Sequence, residues 1–119
     1  MDRYYDEFRI RVHAEEMGDG LCVNICGGDR AHIGSVAIAE PRPSLTGDGS
    51  ISATVSTYNC IGHKDGEVAD AVAGALASRL NRRTVVVCRI RYDAVSPEMF
   101  EAIRTLTEQI TNELAAELL

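Results

Sequence analysis

Apolar and polar side chains alternate along several segments of the first sixty residues, a two-residue period that is characteristic of strands with one buried face. The alternation runs through residues 8–15 and returns in 21–26 and 51–58. Between them, residues 33–39 are small or apolar on both faces, which is typical of a well-covered central strand. The sequence therefore predicts four successive strands, the first two joined by a glycine-rich hairpin turn.

The second half of the chain changes to the spacing of amphipathic helices. Apolar residues recur at helical spacing over 68–80, and Asn81 is expected to end this helix. A fifth, β-branched strand is predicted over 85–92. Ser96 before Pro97 predicts the start of a second helix. The buried stripe of that helix is predicted at Phe100, Ile103, Thr107, Ile110, Leu114 and Leu118.

The element order ββββαβα predicts an α+β fold, with a mostly antiparallel five-stranded sheet that carries both helices on one face. Pro41 and Pro43 are expected to end the third strand, because proline cannot donate to a ladder. The second face of the sheet is predicted to be polar and solvated, with a dimer surface as the alternative. Its predicted side chains are Arg9, Arg11, His13, Ser52, Thr54 and Ser56.

The bulk composition sets limits on function. The chain has 119 residues, so we expect one domain over residues 1–119. A net charge of −6 gives no general attraction to nucleic acid or anionic lipid. No apolar run is long enough to span a bilayer and the N-terminus lacks a signal peptide's apolar centre, so a cytoplasmic location is expected. The four cysteines form no close pair and are expected to be free thiols.

Two glycine-flanked breaks after strands carry the candidate binding chemistry. In residues 27–34, Gly27 and Gly28 allow a close backbone approach to a ligand, and Asp29, Arg30 and His32 follow them. Arg30 can bind an anion, and His32 can bind a metal or move a proton. A tight turn closed by Asp29 is the simpler interpretation of this segment and the one that composition favours.

The second break, Gly62-His63-Lys64, precedes the first helix, whose start offers free N–H groups and a positive dipole end. An ordinary helix entry is its simpler interpretation. Arg89 and Arg91 share one face of the fifth strand and can bind an anion, although an exposed edge is the favoured interpretation. The catalytic and nucleotide-binding motifs GxSxG, HExxH, GxGxxG and the Walker loop are absent from the sequence, so a stand-alone hydrolase has little support.

Both breaks, together with residues 85–93 and 96–98, resemble the LpdD-like prenylated-flavin chaperone family, whose fold is similar to that of proteasome-assembly chaperones. The resemblance covers the chain from the second strand to the last helix. It implies a non-catalytic helper that binds reduced prenylated FMN and assists its transfer or maturation. The implied partner is a UbiD-type decarboxylase or its flavin prenyltransferase, and a homodimer is implied as well.

Under this resemblance, the cofactor-binding residues are Gly27, Gly28, Asp29, Arg30, His32, Gly62, His63, Lys64 and Arg91. The glycine turn, Arg30 and Lys64 would hold the phosphate. As a separate hypothesis, which the family pattern does not itself imply, His32 and His63 would bind a divalent metal that bridges to the phosphate. The sequence departs from the family pattern at Arg91, where a histidine is expected, so Arg91 would contact phosphate directly. Two other hypotheses remain open: a protein-assembly or interaction module with no small ligand, and a metal-dependent enzyme.

Overall fold

The computed structural model describes residues 1–28, 34–60, 66–91 and 96–119. The elements in chain order are β1 (Asp2–Tyr5), a 3-10 turn (Asp6–Phe8), β2 (Ile10–Met17), β3 (Gly20–Gly28), β4 (Ser35–Pro43), β5 (Ile51–Asn59), α1 (Gly66–Leu80), β6 (Thr84–Arg91) and α2 (Pro97–Leu118). The predicted α+β class is confirmed.

The described strands form one mixed six-stranded sheet in the order β1-β2-β3-β6-β4-β5. The prediction of five strands is therefore inexact, because β1 is short and lacks the alternation that reveals the other strands. Four of the neighbouring pairs are antiparallel, whereas β3 and β6 are parallel. The predicted β2–β3 hairpin is confirmed. However, β3 and β4 are not neighbours, because β6 lies between them.

The position of β6 follows from its composition. Val85, Val86 and Val87 are consecutive, so both faces of this strand are apolar, which favours a central place in the sheet. Val86 is fully buried on the face that carries the helices. It pairs there with Val23 of β3 and Ala37 of β4.

Both helices pack on that face and enclose the core. Small residues on β4 and α1, such as Ala39 and Ala73, let the helix approach the sheet closely. The largest fully buried side chains of the core belong to Ile10, Val12, Val23, Ile25, Val72, Leu76, Val86, Ile110 and Leu114. Neither α1 nor α2, as the structure describes them, is long and apolar enough to cross a membrane.

The prolines do not end β4, contrary to the prediction. The strand continues to Pro43, with Pro41 opposite Ala53 and Pro43 opposite Ile51 of β5. The pairing with β6 already stops at Ala39, so both prolines lie where β4 has a partner on one side only. Proline is tolerated at such an edge because the N–H group that it lacks would have had no acceptor on a neighbouring strand.

The predicted helix ends are confirmed. Asn81 takes a left-handed φ of 52° directly after α1. The Ser96 hydroxyl accepts a 3.1 Å hydrogen bond from the Met99 N–H at the start of α2. Within the predicted stripe, Thr107 is buried, and its hydroxyl donates to the carbonyl of Ile103. Phe100 is instead 47% exposed, so its predicted burial is wrong.

Candidate functional site

The ends of β3 and β6 lie side by side at the edge of the sheet that is formed by strand ends, not by an outer strand. Their parallel pairing places Gly28 opposite Arg91 at the final residue of each strand. Residues 29–33 and 92–95 follow these two positions directly. The segments that follow β3 and β6 therefore leave the sheet at the same edge.

The start of β4 and the end of β5 lie at this edge as well. Ser35 pairs with both Cys88 and Asn59. The Gly34 N–H donates to the Cys88 carbonyl at 3.2 Å, and the Cys60 N–H donates to the Gly34 carbonyl at 2.8 Å. Gly28, Gly34 and Cys60, which flank the two glycine-histidine segments of the sequence, therefore lie along one edge formed by strand ends. We call this the site edge.

Most of the predicted ligand contacts fall in the segments between these anchors. Asp29, Arg30, His32, Gly62, His63 and Lys64 lie outside the described residues. Gly27, Gly28 and the backbone of Arg91 are described, and all three belong to the site edge. Within the described residues, no group of three or more His, Cys, Asp or Glu side chains is arranged to hold a metal ion.

The two positions at the end of β3 require glycine for different structural reasons. A Cβ on Gly27 would lie 2.7 Å from the carbonyl oxygen of Arg9 and 2.9 Å from the Cα of Ile10. Gly27 therefore permits two backbones to pack together. Gly28 has a left-handed φ of 87°, which favours glycine and turns the chain out of the strand. Gly28 is thus the better candidate for a ligand-facing turn.

The start of α1 is held against the end of β5. A Cβ on Gly66 would clash with Oδ1 of Asn59, so the helix start and this side chain lie in close contact. That oxygen accepts a 2.7 Å hydrogen bond from the buried Ser35 hydroxyl. Three elements of the site edge, β4, β5 and α1, are thereby fixed relative to one another.

An acidic cleft opens beside the site edge on the helix side of the sheet. Its volume is about 820 Å³, and its lining residues are Thr57, Asn59, Gly66, Glu67, Asp70, Ala71 and Phe100. The Thr57 hydroxyl donates to Asp70 at 3.1 Å. The exposed Phe100 ring gives the cleft an apolar wall, whereas its two carboxylates disfavour an anion.

The opposite face of the sheet, which we call the open face, carries the side chains of Tyr4, Arg11, His13, Cys22, Asn24, Cys26, Val36, Ile38, Val85, Val87, Arg89, Ser56 and Tyr58. It differs from the predicted polar face at its centre. Val36, Ile38, Val85 and Val87 are adjacent there, and Ile38 is 45% exposed. Arg9, predicted on this face, instead lies before β2 in a left-handed conformation.

Nearest the site edge, a row of residues crosses the open face. Arg11 of β2 pairs with Cys26 of β3, which pairs with Arg89 of β6. We call these three residues the arginine row. The interpretation of Arg89 and Arg91 as an exposed edge is wrong, because β6 is a central strand. The row forms through the pairing of β3 with β6, which are distant in the chain. The sequence analysis therefore did not identify Arg11 and Cys26 as site residues.

The next row across the open face is mostly apolar. Asn24 pairs with Val87, Val87 with Val36, and Val36 with Tyr58, whose ring is 73% exposed. We call these four residues the valine row. On the two strands that the rows share, β3 and β6, it lies two residues from the arginine row, roughly 7 Å away. A flat apolar group can therefore rest on it while an anionic group contacts the arginines.

Comparisons with known proteins agree with this architecture. The sequence profile of the prenylated flavin chaperone LpdD-like domain matches residues 4–119. A chain in a crystal structure described as a novel chaperone complex for yeast 20S proteasome assembly has a similar fold, with a TM-score of 0.60 and 16% identity. That alignment covers 100% of this chain and 96% of the other. A search of curated protein sequences finds no significant match.

Proposed function

Because the chain belongs to the prenylated flavin chaperone LpdD-like family, we propose that it binds reduced prenylated FMN for a UbiD-type decarboxylase without itself being an enzyme. The observation that supports this proposal is the position of the described residues that flank the two glycine-histidine segments. Gly28, Gly34, Cys60 and Gly66 all lie at the site edge. A ligand at this edge can therefore contact both segments.

The chemistry of the ligand fits the residue types of these segments. The cofactor carries a phosphate and a flat, largely apolar ring system. In this proposal, Arg30, Lys64 and Arg91 contact the phosphate, and the N–H groups around Gly27 and Gly28 contribute donors. Asp29 and Gly62 shape the turns that present these donors.

A divalent metal is a separate part of the proposal. His32 and His63, as neutral imidazoles, would share an ion that bridges to the phosphate. Elemental analysis of the purified protein, with and without the His32→Ala and His63→Ala changes together, tests this point. A metal content that is the same in both would remove the two histidines as ligands.

Anaerobic titration of the purified protein with reduced prenylated FMN tests the main proposal. Binding is expected, and the His63→Ala and Lys64→Ala variants should weaken it. Arg104→Ala serves as the charge-matched control, because Arg104 is an exposed residue of α2 paired with Glu101. Affinity that is unchanged in both site variants would contradict the proposal.

We also propose that the chain is a homodimer in the cytoplasm, where it contacts the decarboxylase or its flavin prenyltransferase. Native mass spectrometry of the untreated protein reports subunit number, bound flavin and bound metal in one measurement. A pull-down with each enzyme tests the partner. A mass that corresponds to one subunit over a range of concentrations would contradict the dimer.

A second candidate is a protein-interaction module with no small ligand. The apolar centre of the open face favours it, because Ile38 is 45% exposed and its valine neighbours are only partly buried. The two candidates differ in one measurement. Partner capture that survives simultaneous loss of His32 and His63, with no flavin bound, would favour the interaction module.

A further inference from the structure

Arg89 occupies an unusual position for a charged residue. It lies two residues before the end of β6, a strand between β3 and β4, with Cys26 of β3 as its cross-strand neighbour, and the residue is partly buried. Its Nε atom is buried and has no hydrogen-bond partner among the described residues. A buried donor without an acceptor is costly, so a position of this kind requires a compensating partner.

Arg3 provides the comparison within the same chain. Its Nε is also buried without a partner, but its terminal nitrogens contact Glu113 and Glu117. Across the strands, Arg89 has Cys26 beside it, and the next residue of the row is Arg11, a second cation. Positive charge is therefore concentrated in this row, at one end of the open face.

The geometry points to a phosphate site at the arginine row, and we propose that the phosphate of the flavin mononucleotide binds there with its ring system over the valine row. This inference rests on the proposed function and adds the face of the sheet, together with Arg11, Arg89 and Tyr58 as ligand contacts. Guanidinium groups match the oxygens of a phosphate monoester, and a phosphate supplies the acceptor that Arg89 lacks.

The alternative location for the ring is the acidic cleft on the helix side. Its two carboxylates, Glu67 and Asp70, would repel the phosphate of the same ligand. On the open face, the cationic row and the apolar row are adjacent and face the same way. The open face therefore suits both ends of the ligand, whereas the cleft suits only the ring.

Two exposed aromatic residues distinguish these locations. Tyr58 lies on the open face, opposite Val36, and Phe100 lines the cleft. The Tyr58→Ser change should weaken FMN and riboflavin alike by about threefold or more, because it removes an aromatic contact to the ring. Phe100→Ser should leave both affinities unchanged. The reverse result would place the ring in the cleft and overturn the inference.

The phosphate contact is tested with FMN against riboflavin, which lacks the phosphate. Arg89→Met should weaken FMN by about tenfold or more and leave riboflavin unchanged, since it removes a charge-assisted hydrogen bond. The matched control is Arg42→Met, because Arg42 lies at the other end of β4 and already contacts Thr54. An equal loss for both flavins in Arg89→Met would overturn the phosphate assignment.

Inorganic phosphate provides a test that does not depend on flavin. The side-chain Nε–H resonance of Arg89 should shift on addition of phosphate but not of chloride at the same ionic strength. An unchanged resonance, or an Arg89→Met variant that loses only its dimeric state, would assign Arg89 to another role and overturn the inference. A phosphate response without any flavin binding would instead retain the anion site and remove the proposed function.

Discussion

Tyr5 of β1 donates a 2.5 Å hydrogen bond from its hydroxyl to Oε2 of Glu113 in α2. This contact joins the first strand, at the outer end of the sheet, to the last helix of the chain. It lowers the pKa of Glu113 below its usual 4.5, with a further contribution from Gln109. Burial, followed by the same hydrogen bond, raises the pKa of Tyr5 above its usual 10.0.

The two pKa shifts predict how stability depends on pH. Glu113 has a lowered pKa in the fold, so its contribution is present above about pH 4.5 and is lost as the pH falls through the lower value. Tyr5 has a raised pKa, so its contribution is present below pH 10 and is lost as the pH rises above it. Urea unfolding at several pH values should therefore show stability falling at both extremes.

Replacement of Tyr5 by phenylalanine should lower the unfolding free energy by about 1 kcal/mol at pH 7, because the Glu113 carboxylate loses the hydrogen bond from the Tyr5 hydroxyl. The acid and alkaline slopes should both become shallower. Tyr4→Phe is the control, since Tyr4 is on the same strand with a ring 59% exposed on the other face. Unchanged slopes in Tyr5→Phe would show that this pair does not set the pH dependence.

Gly27→Ala should destabilise the protein by about 1–3 kcal/mol, because the new Cβ would meet the backbone at Arg9 and Ile10. Backbone atoms cannot rotate away as a side chain can. Gly20→Ala is the matched control in the same strand, where the nearest atoms lie 3.4 and 3.5 Å from an added Cβ. Chemical unfolding of both variants measures the difference, and equal stabilities would contradict the close approach.

Ser35 and Asn59 should behave as a coupled pair. Asn59→Ala leaves the buried Ser35 hydroxyl without its acceptor and should cost about 1–3 kcal/mol. The double change Ser35→Ala with Asn59→Ala should cost less than the sum of the single changes. Strict additivity in this double-mutant cycle would show that the hydrogen bond does not hold the site edge together.

Local patterns made most of the elements predictable. The alternation of Leu21, Val23 and Ile25 identifies β3, and Ser96 with Pro97 identifies the start of α2, because each signal lies within a few residues. The predicted burial of Phe100 was wrong, because helical spacing shows which side of the helix a residue faces but not how far the core extends along the helix. The buried residues of α2 begin only at Thr107, about two turns after Phe100.

The order of the strands could not be predicted in the same way, because pairing joins residues that are distant in the chain. Cys26 and Arg89 are neighbours only because β6 enters between β3 and β4. The glycine turn after β3 was visible in the sequence, and the structure supports Gly28 as a turn residue. The arginine row, in contrast, is a property of the folded sheet and has no local signature.

Arg82 closes the end of the sheet opposite the site edge. Its Nη1 donates to Glu16 at 2.8 Å, and its Nε and Nη2 donate to the carbonyls of Asp19 and Gly20 at 3.0 and 3.1 Å. One guanidinium therefore holds the whole β2–β3 turn. Arg82→Lys should cost about 1–2 kcal/mol, because an ammonium cannot reproduce this fork of donors.

The neighbouring Arg83 provides the control for Arg82. Its side chain is 67% exposed and pairs with the Glu40 carboxylate, whereas the Arg82 side chain is 17% exposed. Because exposed ion pairs contribute little, Arg83→Lys should change the unfolding free energy by less than about 0.5 kcal/mol. Thermal and urea unfolding of both variants give the comparison. An Arg82→Lys loss as small as that of Arg83→Lys would show that the positive charge, which both substitutions keep, is sufficient without the guanidinium geometry at the turn.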